Sequence, residues 1–154
     1  MKQELQQQLY DKYPELFSNK DKSIMESCMG WGIECGDGWY DILYNLCWMI
    51  AQHERNKEGR VKYLTKNDPE KLKELPEYIP VKFDQIKEKF GGLRVYFTGG
   101  DEYVEGLVKM AECWSYNTCE VCGERGKPNK GGWISTLCDK CRNKDQWNPP
   151  EFPG

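Results

Sequence analysis

Four cysteines near the C-terminal end, Cys119, Cys122, Cys138 and Cys141, stand in the spacing C-x2-C-x15-C-x2-C. Two cysteines separated by two residues can turn both sulfurs to one side of a tight knuckle, and two knuckles complete a tetrahedron of thiolates. The spacing predicts one structural Zn2+ with no open coordination position, a site that folds the chain and catalyses nothing. Gly123 suits the positive φ of the first knuckle, and Gly126, Gly131 and Gly132 suit a hairpin between the two cysteine pairs. Cys138-Asp-Lys-Cys then leads into a short helix over residues 142–147, as in a zinc ribbon or treble clef. Cys28, Cys35, Cys47 and Cys113 form no second pattern of this kind and are expected to be small apolar core residues.

A second constellation lies in Lys87-Glu-Lys-Phe-Gly-Gly-Leu-Arg. Gly91 and Gly92 can bare their backbone N–H groups, and Lys87, Lys89 and Arg94 can converge with them on an anion, although a Gly-Gly pair is also an ordinary turn. Tyr96, Trp39, Trp133 and Trp31 offer aromatic faces on which a base could stack. The ligand-binding set expected from these residues is Lys87, Lys89, Gly91, Gly92, Arg94, Tyr96, Trp39 and Trp133. His53 is the one histidine, and no serine or cysteine nucleophile with a matching motif accompanies it. Asp37 and Asp41 share a helical face, yet Asp37 has a simpler role as a helix cap. No catalytic residue is expected.

These residues need elements to hold them. Residues 5–17 have the apolar spacing of a short helix interrupted by Pro14. The glycine-rich stretch from Met25 to Trp39 reads as a loop over the core, with Asp37 as the N-cap of a helix from Trp39 to Arg55. That helix is apolar almost all round, which places it in a core or an interface, a homo-oligomer included. From Asn56 to Tyr78 the lysines and glutamates read as a solvated excursion with one short helix after Pro69. Val81 to Phe90 fits either a strand or a helix, and the spacing of Phe83, Ile86 and Phe90 favours a helix ending at Gly91-Gly92. Leu93 to Thr98 alternates as a strand, and Asp101 to Trp114 is an amphipathic helix. The fold class is therefore α+β: a mainly helical core with a short strand or hairpin over residues 1–116, a zinc module over 117–147 and a tail over 148–154.

The 154 residues carry a net charge of −3 and a pI near 5.4, which disfavours indiscriminate binding to phosphate backbones. With 38% hydrophobic residues and six tryptophans the chain can offset the entropy of folding. Met1 to Gln8 lacks the basic flank and apolar run of a secretory signal, and no later stretch approaches a membrane span, so a soluble intracellular protein is expected.

Four segments, Gly36-Asp-Gly-Trp-Tyr-Asp-Ile-Leu, Lys87-Glu-Lys-Phe-Gly-Gly-Leu-Arg-Val-Tyr-Phe, Cys119-Glu-Val-Cys-Gly and Gly132-Trp-Ile-Ser-Thr-Leu-Cys, resemble a family of small uncharacterised proteins encoded by phages and prophages. The similarity spans about residues 31–141. It implies an accessory protein of the bacterial host cytoplasm, of the kind that serves host takeover or evasion of defence, and supplies no activity. Two functions fit residues and context together. One is a non-enzymatic binder that sequesters a small phosphate-containing ligand, such as a nucleotide immune signal, to counter bacterial defence. The other is a zinc-ribbon adaptor whose module and basic loop dock on nucleic acid or a host protein.

Overall fold

The computed structural model describes residues 1–144. In chain order the elements are α1 (Gln3–Lys12), a 3-10 turn (Cys28–Trp31), β1 (Ile33–Glu34), a second 3-10 turn (Asp37–Trp39), α2 (Tyr40–Asn67), α3 (Pro69–Lys73), β2 (Lys82–Lys89) and β3 (Gly92–Thr98). Next come α4 (Glu102–Ser115), β4 (Lys127–Pro128), β5 (Thr136–Leu137) and α5 (Asp139–Lys144). The architecture is α+β.

Strands β1, β2 and β3 form one sheet in that order, with β1 parallel and β3 antiparallel to β2. Phe83, Ile86, Leu93 and Val95 point from this sheet into a core shared with Trp39, Leu43, Leu46 and Ile50 beside α2 and with Val104, Val108 and Ala111 of α4. Leu9, Tyr10, Tyr13, Leu16 and Phe17 close the same core from α1 and the turn after it. Phe17 sits edge-on between Tyr10 and Phe83, with ring centroids 5.0 and 5.1 Å away.

Within residues 81–90, where helical spacing pointed to a helix, Lys82–Lys89 form the strand β2. A bulge between Phe83 and Gln85 shifts the register, so Phe83 and Ile86 both face inward although they lie three residues apart. That irregularity imitates a helical period. Pairing to strands on both sides then decides the conformation. The central helix is also longer than expected, because α2 continues through the charged stretch to Asn67. Lysine, glutamate and arginine are good helix formers, Gly59 costs about 1 kcal/mol, and nothing breaks the helix before Asp68-Pro69. Asp68 caps α3 by accepting the Lys71 N–H.

Asp37 does not cap α2. It lies in the 3-10 turn, where its Oδ1 accepts the Lys2 N–H at 2.7 Å. The glycine-rich stretch holds two 3-10 turns and β1, so it is more regular than a loop. At α4 the cap is Asp101, whose Oδ1 accepts the Val104 N–H. Its Oδ2 lies 2.8 Å from His53 Nε2 and 3.3 Å from Lys57 Nζ. Among the described residues no helix is long and apolar enough to cross a membrane.

Helix α4 also closes the outer edge of β3. The Leu93 N–H donates to Ser115 Oγ at 2.8 Å and the Val95 N–H to Glu112 Oε1 at 3.0 Å. Ser115 is wholly buried. Replacing Ser115 with alanine leaves the Leu93 N–H without a partner, and urea denaturation should show a loss of about 1–3 kcal/mol at unchanged m-value.

Burial raises the Asp101 carboxyl, but hydrogen bonds from His53, the Val104 N–H and Lys57 outweigh it and hold the group below the ordinary carboxylate value. A depressed carboxylate stabilises the fold above its unfolded pKa, and the contribution is lost as pH falls through the folded one. Thermal melts should therefore place Asp101→Ala about 1 kcal/mol below the wild type at neutral pH. The gap should narrow below the carboxylate range.

Candidate functional site

The C-terminal module builds its sulfur cluster from two local devices. Gly123, at φ +80°, lets the chain fold back so that its N–H donates to Cys119 O at 2.9 Å, while the Cys119 N–H donates to Glu124 O at 2.7 Å. The β4–β5 hairpin then returns the chain to Cys138, immediately before α5, and the Cys141 N–H in the first turn points at Cys138 Sγ at 3.4 Å. All four sulfur atoms lie within 4.8 Å of one another. Cys122 Sγ and Cys138 Sγ are 3.6 Å apart. A disulfide would need about 2.05 Å, whereas thiolates each ~2.3 Å from one tetrahedral ion lie roughly 3.8 Å apart. Burial alone would raise the Cys119 thiol, but backbone N–H groups of Cys122, Cys138 and Val121 directed at its sulfur bring it down, while the neighbouring Cys138 sulfur pushes the Cys141 thiol up, so the cluster shares its negative charge unevenly. The group can hold a metal ion on four soft donors.

The metal module is seated on the core backbone to backbone. Gly38 N–H donates to Glu120 O at 2.7 Å, Gly36 N–H to Glu120 Oε1 at 3.0 Å, and Trp39 Nε1–H to Thr118 O at 2.8 Å. A Cβ on Gly38 would stand 2.1 Å from Cys119 O, and one on Gly36 would stand 2.2 Å from Glu120 O. Only glycine allows so close an approach. Burial raises the Glu120 carboxyl, opposed by the Gly36 N–H. At the other side of the module Thr136 Oγ1–H donates to Gly91 O at 2.6 Å, and Ile134 packs over Gly91. Gly36, Gly38, Glu120 and Thr136 escaped sequence reasoning because their partners lie far along the chain. The Gly-Asp-Gly before Trp39 was the available signal.

The β2–β3 hairpin gathers most of the expected ligand set. Cross-strand pairing sets Lys87 opposite Arg94, Lys89 opposite Gly92 and Gln85 opposite Tyr96, which puts Lys87, Lys89, Arg94 and Tyr96 on the outer face of the sheet. Among the described residues no carboxylate lies within 4.0 Å of Lys87, Lys89 or Arg94. Glu34 is the β1 neighbour of Lys87. Lys87 Nζ lies 5.7 Å from the Tyr96 ring centroid. Arg94 donates to Leu93 O and Tyr116 OH, at 2.8 and 2.9 Å, and the Tyr116 bond leads the effects that raise its pKa. Both acceptors are neutral, so the guanidinium keeps its charge.

Three expectations need correction. Trp39 is completely buried, and its indole N–H is used inside the protein, so it offers no face to a ligand. The Gly91 N–H is not bare, since Glu88 Oε1 accepts it at 2.7 Å. Gly92 lies in the β ladder opposite Lys89, with its Cα packed against Tyr116. Trp133 is 84% exposed on the β4–β5 hairpin, one residue from Ile134. It lines an open cleft of ≈ 600 Å³ with Gly36, Glu120, Val121 and Arg142.

Cys35 and Cys47 are core residues as expected, and burial pushes both thiols up, Cys35 to about 12. Cys28 and Cys113 are instead exposed. His53 stacks on Tyr103 at 4.3 Å and serves the Asp101 cap. A groove of ≈ 500 Å³ runs between α2 and α4, lined by Ile42, Leu46, Met49, Leu107, Met110 and Trp114. The expected helix over 142–147 begins earlier, at Asp139, and residues 145–147 lie outside the described range. No known protein family, curated protein or solved structure matches the chain. The likeness to phage-encoded proteins rests on the four quoted segments alone.

Gly38→Ala must push the knuckle off its seat. A supporting contact of this kind typically contributes 10- to 100-fold to metal affinity. Competition with a chromogenic chelator should show a loss of about that size.

Proposed function

We propose that the protein is a phage-encoded, non-enzymatic binder of a phosphate-containing, nucleotide-type ligand, which it sequesters in the host cytoplasm against bacterial defence. The observation that carries this reading is the outer face of the β2–β3 hairpin. Three cations without a carboxylate partner among the described residues share that face with Tyr96, in a protein whose net charge is negative. Unpaired cations beside an aromatic ring suit a phosphate and a base. The order of knuckle, hairpin and helix, with Cys138 just before α5 and Cys141 in its first turn, supports a treble-clef module with Zn2+ as a structural ion. The module's part is to brace the tip of the hairpin through Thr136 and Ile134.

Calorimetry against a panel of linear and cyclic nucleotides tests the reading. Lys87→Ala should weaken the bound nucleotide by roughly 1.5–3 kcal/mol, the scale of a hydrogen bond to a charged group. It should leave the fold and one zinc per chain in place, as read by circular dichroism and metal analysis. A wild type that binds no member of the panel rejects sequestration of a free nucleotide.

An adaptor is the second reading, favoured by the apolar groove between α2 and α4, where Met110 and Trp114 are exposed. It takes an apolar segment of a host protein there. A photo-crosslinker at position 110 should then capture one host protein, and Met110→Glu should abolish its co-purification.

A further inference from the structure

The geometry points to single-stranded nucleic acid as the ligand of the outer hairpin face, running along the ladder from Tyr96 towards Trp133. This deepens the phosphate-binding reading and rests on it.

The groups are laid out in a line. Gln85–Tyr96, Lys87–Arg94 and Lys89–Gly92 are successive rows of the ladder. Rows two residues apart on a strand are separated by about 7 Å. The charges therefore occupy two neighbouring rows, and an aromatic ring stands at the first. A mononucleotide needs groups that close around one phosphate, whereas a polymer needs groups repeated along a track. The hairpin supplies a track.

The aromatic series continues past the cations. Phe90, at the tip, is 68% exposed, and Lys89 Nζ lies 5.6 Å from its ring centroid. At the tip Ile134 is in contact with Gly91, and its chain neighbour Trp133 lines a cleft together with Arg142. Tyr96, Phe90 and Trp133 are three exposed rings, the first two each within 6 Å of a lysine ammonium and the third sharing a cleft with Arg142. Large rings left in water forfeit the gain of burial, and stacked bases are a cover that requires no shape-matched partner. Sheet faces carrying rings and cations take bases in this way.

The same layout argues against a duplex. Paired bases hide their faces from stacking, and a duplex is held mainly by a broad field of cations. This chain carries a net charge of −3, and Glu34 borders Lys87 on the outer face. Few charges and several rings suit an unpaired strand.

The test uses the full-length, metal-loaded protein and fluorescence anisotropy with labelled oligothymidylate and oligouridylate of about twelve nucleotides. Either oligomer should bind at least about 100-fold more tightly than thymidine or uridine monophosphate. With three phosphate contacts, log K against log salt should fall with a slope of about −2. Lys87→Ala combined with Lys89→Ala should flatten that slope to about −0.7, the value for one remaining contact. Trp133→Ala should cost roughly 5- to 100-fold at an unchanged slope, the mark of a lost stacking platform. Circular dichroism and metal content, unchanged in both variants, establish that the fold is kept. Equal affinity for monophosphate and oligomer, or for a duplex of the same length, overturns the strand proposal while the phosphate-binding reading stands. No binding of the oligomers, the monophosphates or any member of the linear and cyclic nucleotide panel overturns both.

Discussion

The seat of the first cysteine knuckle on the turn before α2 is the contact on which the rest of this protein depends. Gly38 and Glu120 meet backbone to backbone, Gly36 binds the Glu120 carboxylate, and Trp39 reaches Thr118 from inside the core. None of these bonds tolerates a side chain on either glycine. The same turn launches α2 and follows directly on β1, so the helix axis, the first strand and the metal cluster share one origin. Because metal binding and folding are thermodynamically linked, an ion held on the four sulfurs would stabilise the core as well as the module. Thr136 adds the second seat, on the hairpin tip, and the module thereby joins the start of α2 to the turn of β2–β3.

A three-stranded sheet has two edges, and both are closed by side chains. On β3 the N–H groups of Leu93 and Val95 are taken by Ser115 and Glu112 of α4. On β1 the Ile33 N–H is taken by Gln6 of α1. Open strand edges invite pairing with other chains, and hydrogen bonds from neighbouring helices remove that option. The inner face is filled by α2 and α4. What the hairpin can offer a partner is its outer face, where unpaired cations and exposed rings are found together.

How much of this was legible in the sequence depends on how local each signal is. The four cysteines were legible because a knuckle is defined within a few residues and its ligand chemistry is specific. The strand over 93–98 and the helix after Asp101 were legible because their apolar period is unbroken. Strand β2 was not, because its bulge sets Phe83 and Ile86 at a helical interval. The second half of α2 was hidden by its charge, which is a solvated helix's ordinary surface. Trp39 shows a different limit. An aromatic residue next to a glycine-rich turn looks accessible until the knuckle some eighty residues later covers it. Gly36 and Gly38 fall to the same limit, since flexibility can be read from a glycine but close approach by a distant backbone cannot.

The pairing of β1 with β2 has a consequence for the order in which a nascent chain can fold. Ile33 pairs with Ile86, across the whole of α2 and α3. A parallel contact of such sequence separation cannot form while the first half of the chain is still alone, and its loop-closure entropy must be met before the contact gives anything back. During synthesis α1 and the apolar start of α2 therefore wait, without a sheet to cover them, until residues 82–98 leave the ribosome. The β2–β3 hairpin, whose contacts are short-range, is the natural nucleus onto which the earlier segments collapse. The four clustered cysteines follow all of these elements, so an ion taken up on their sulfurs would close around a core already assembled and latch a chain that folds from its middle outward.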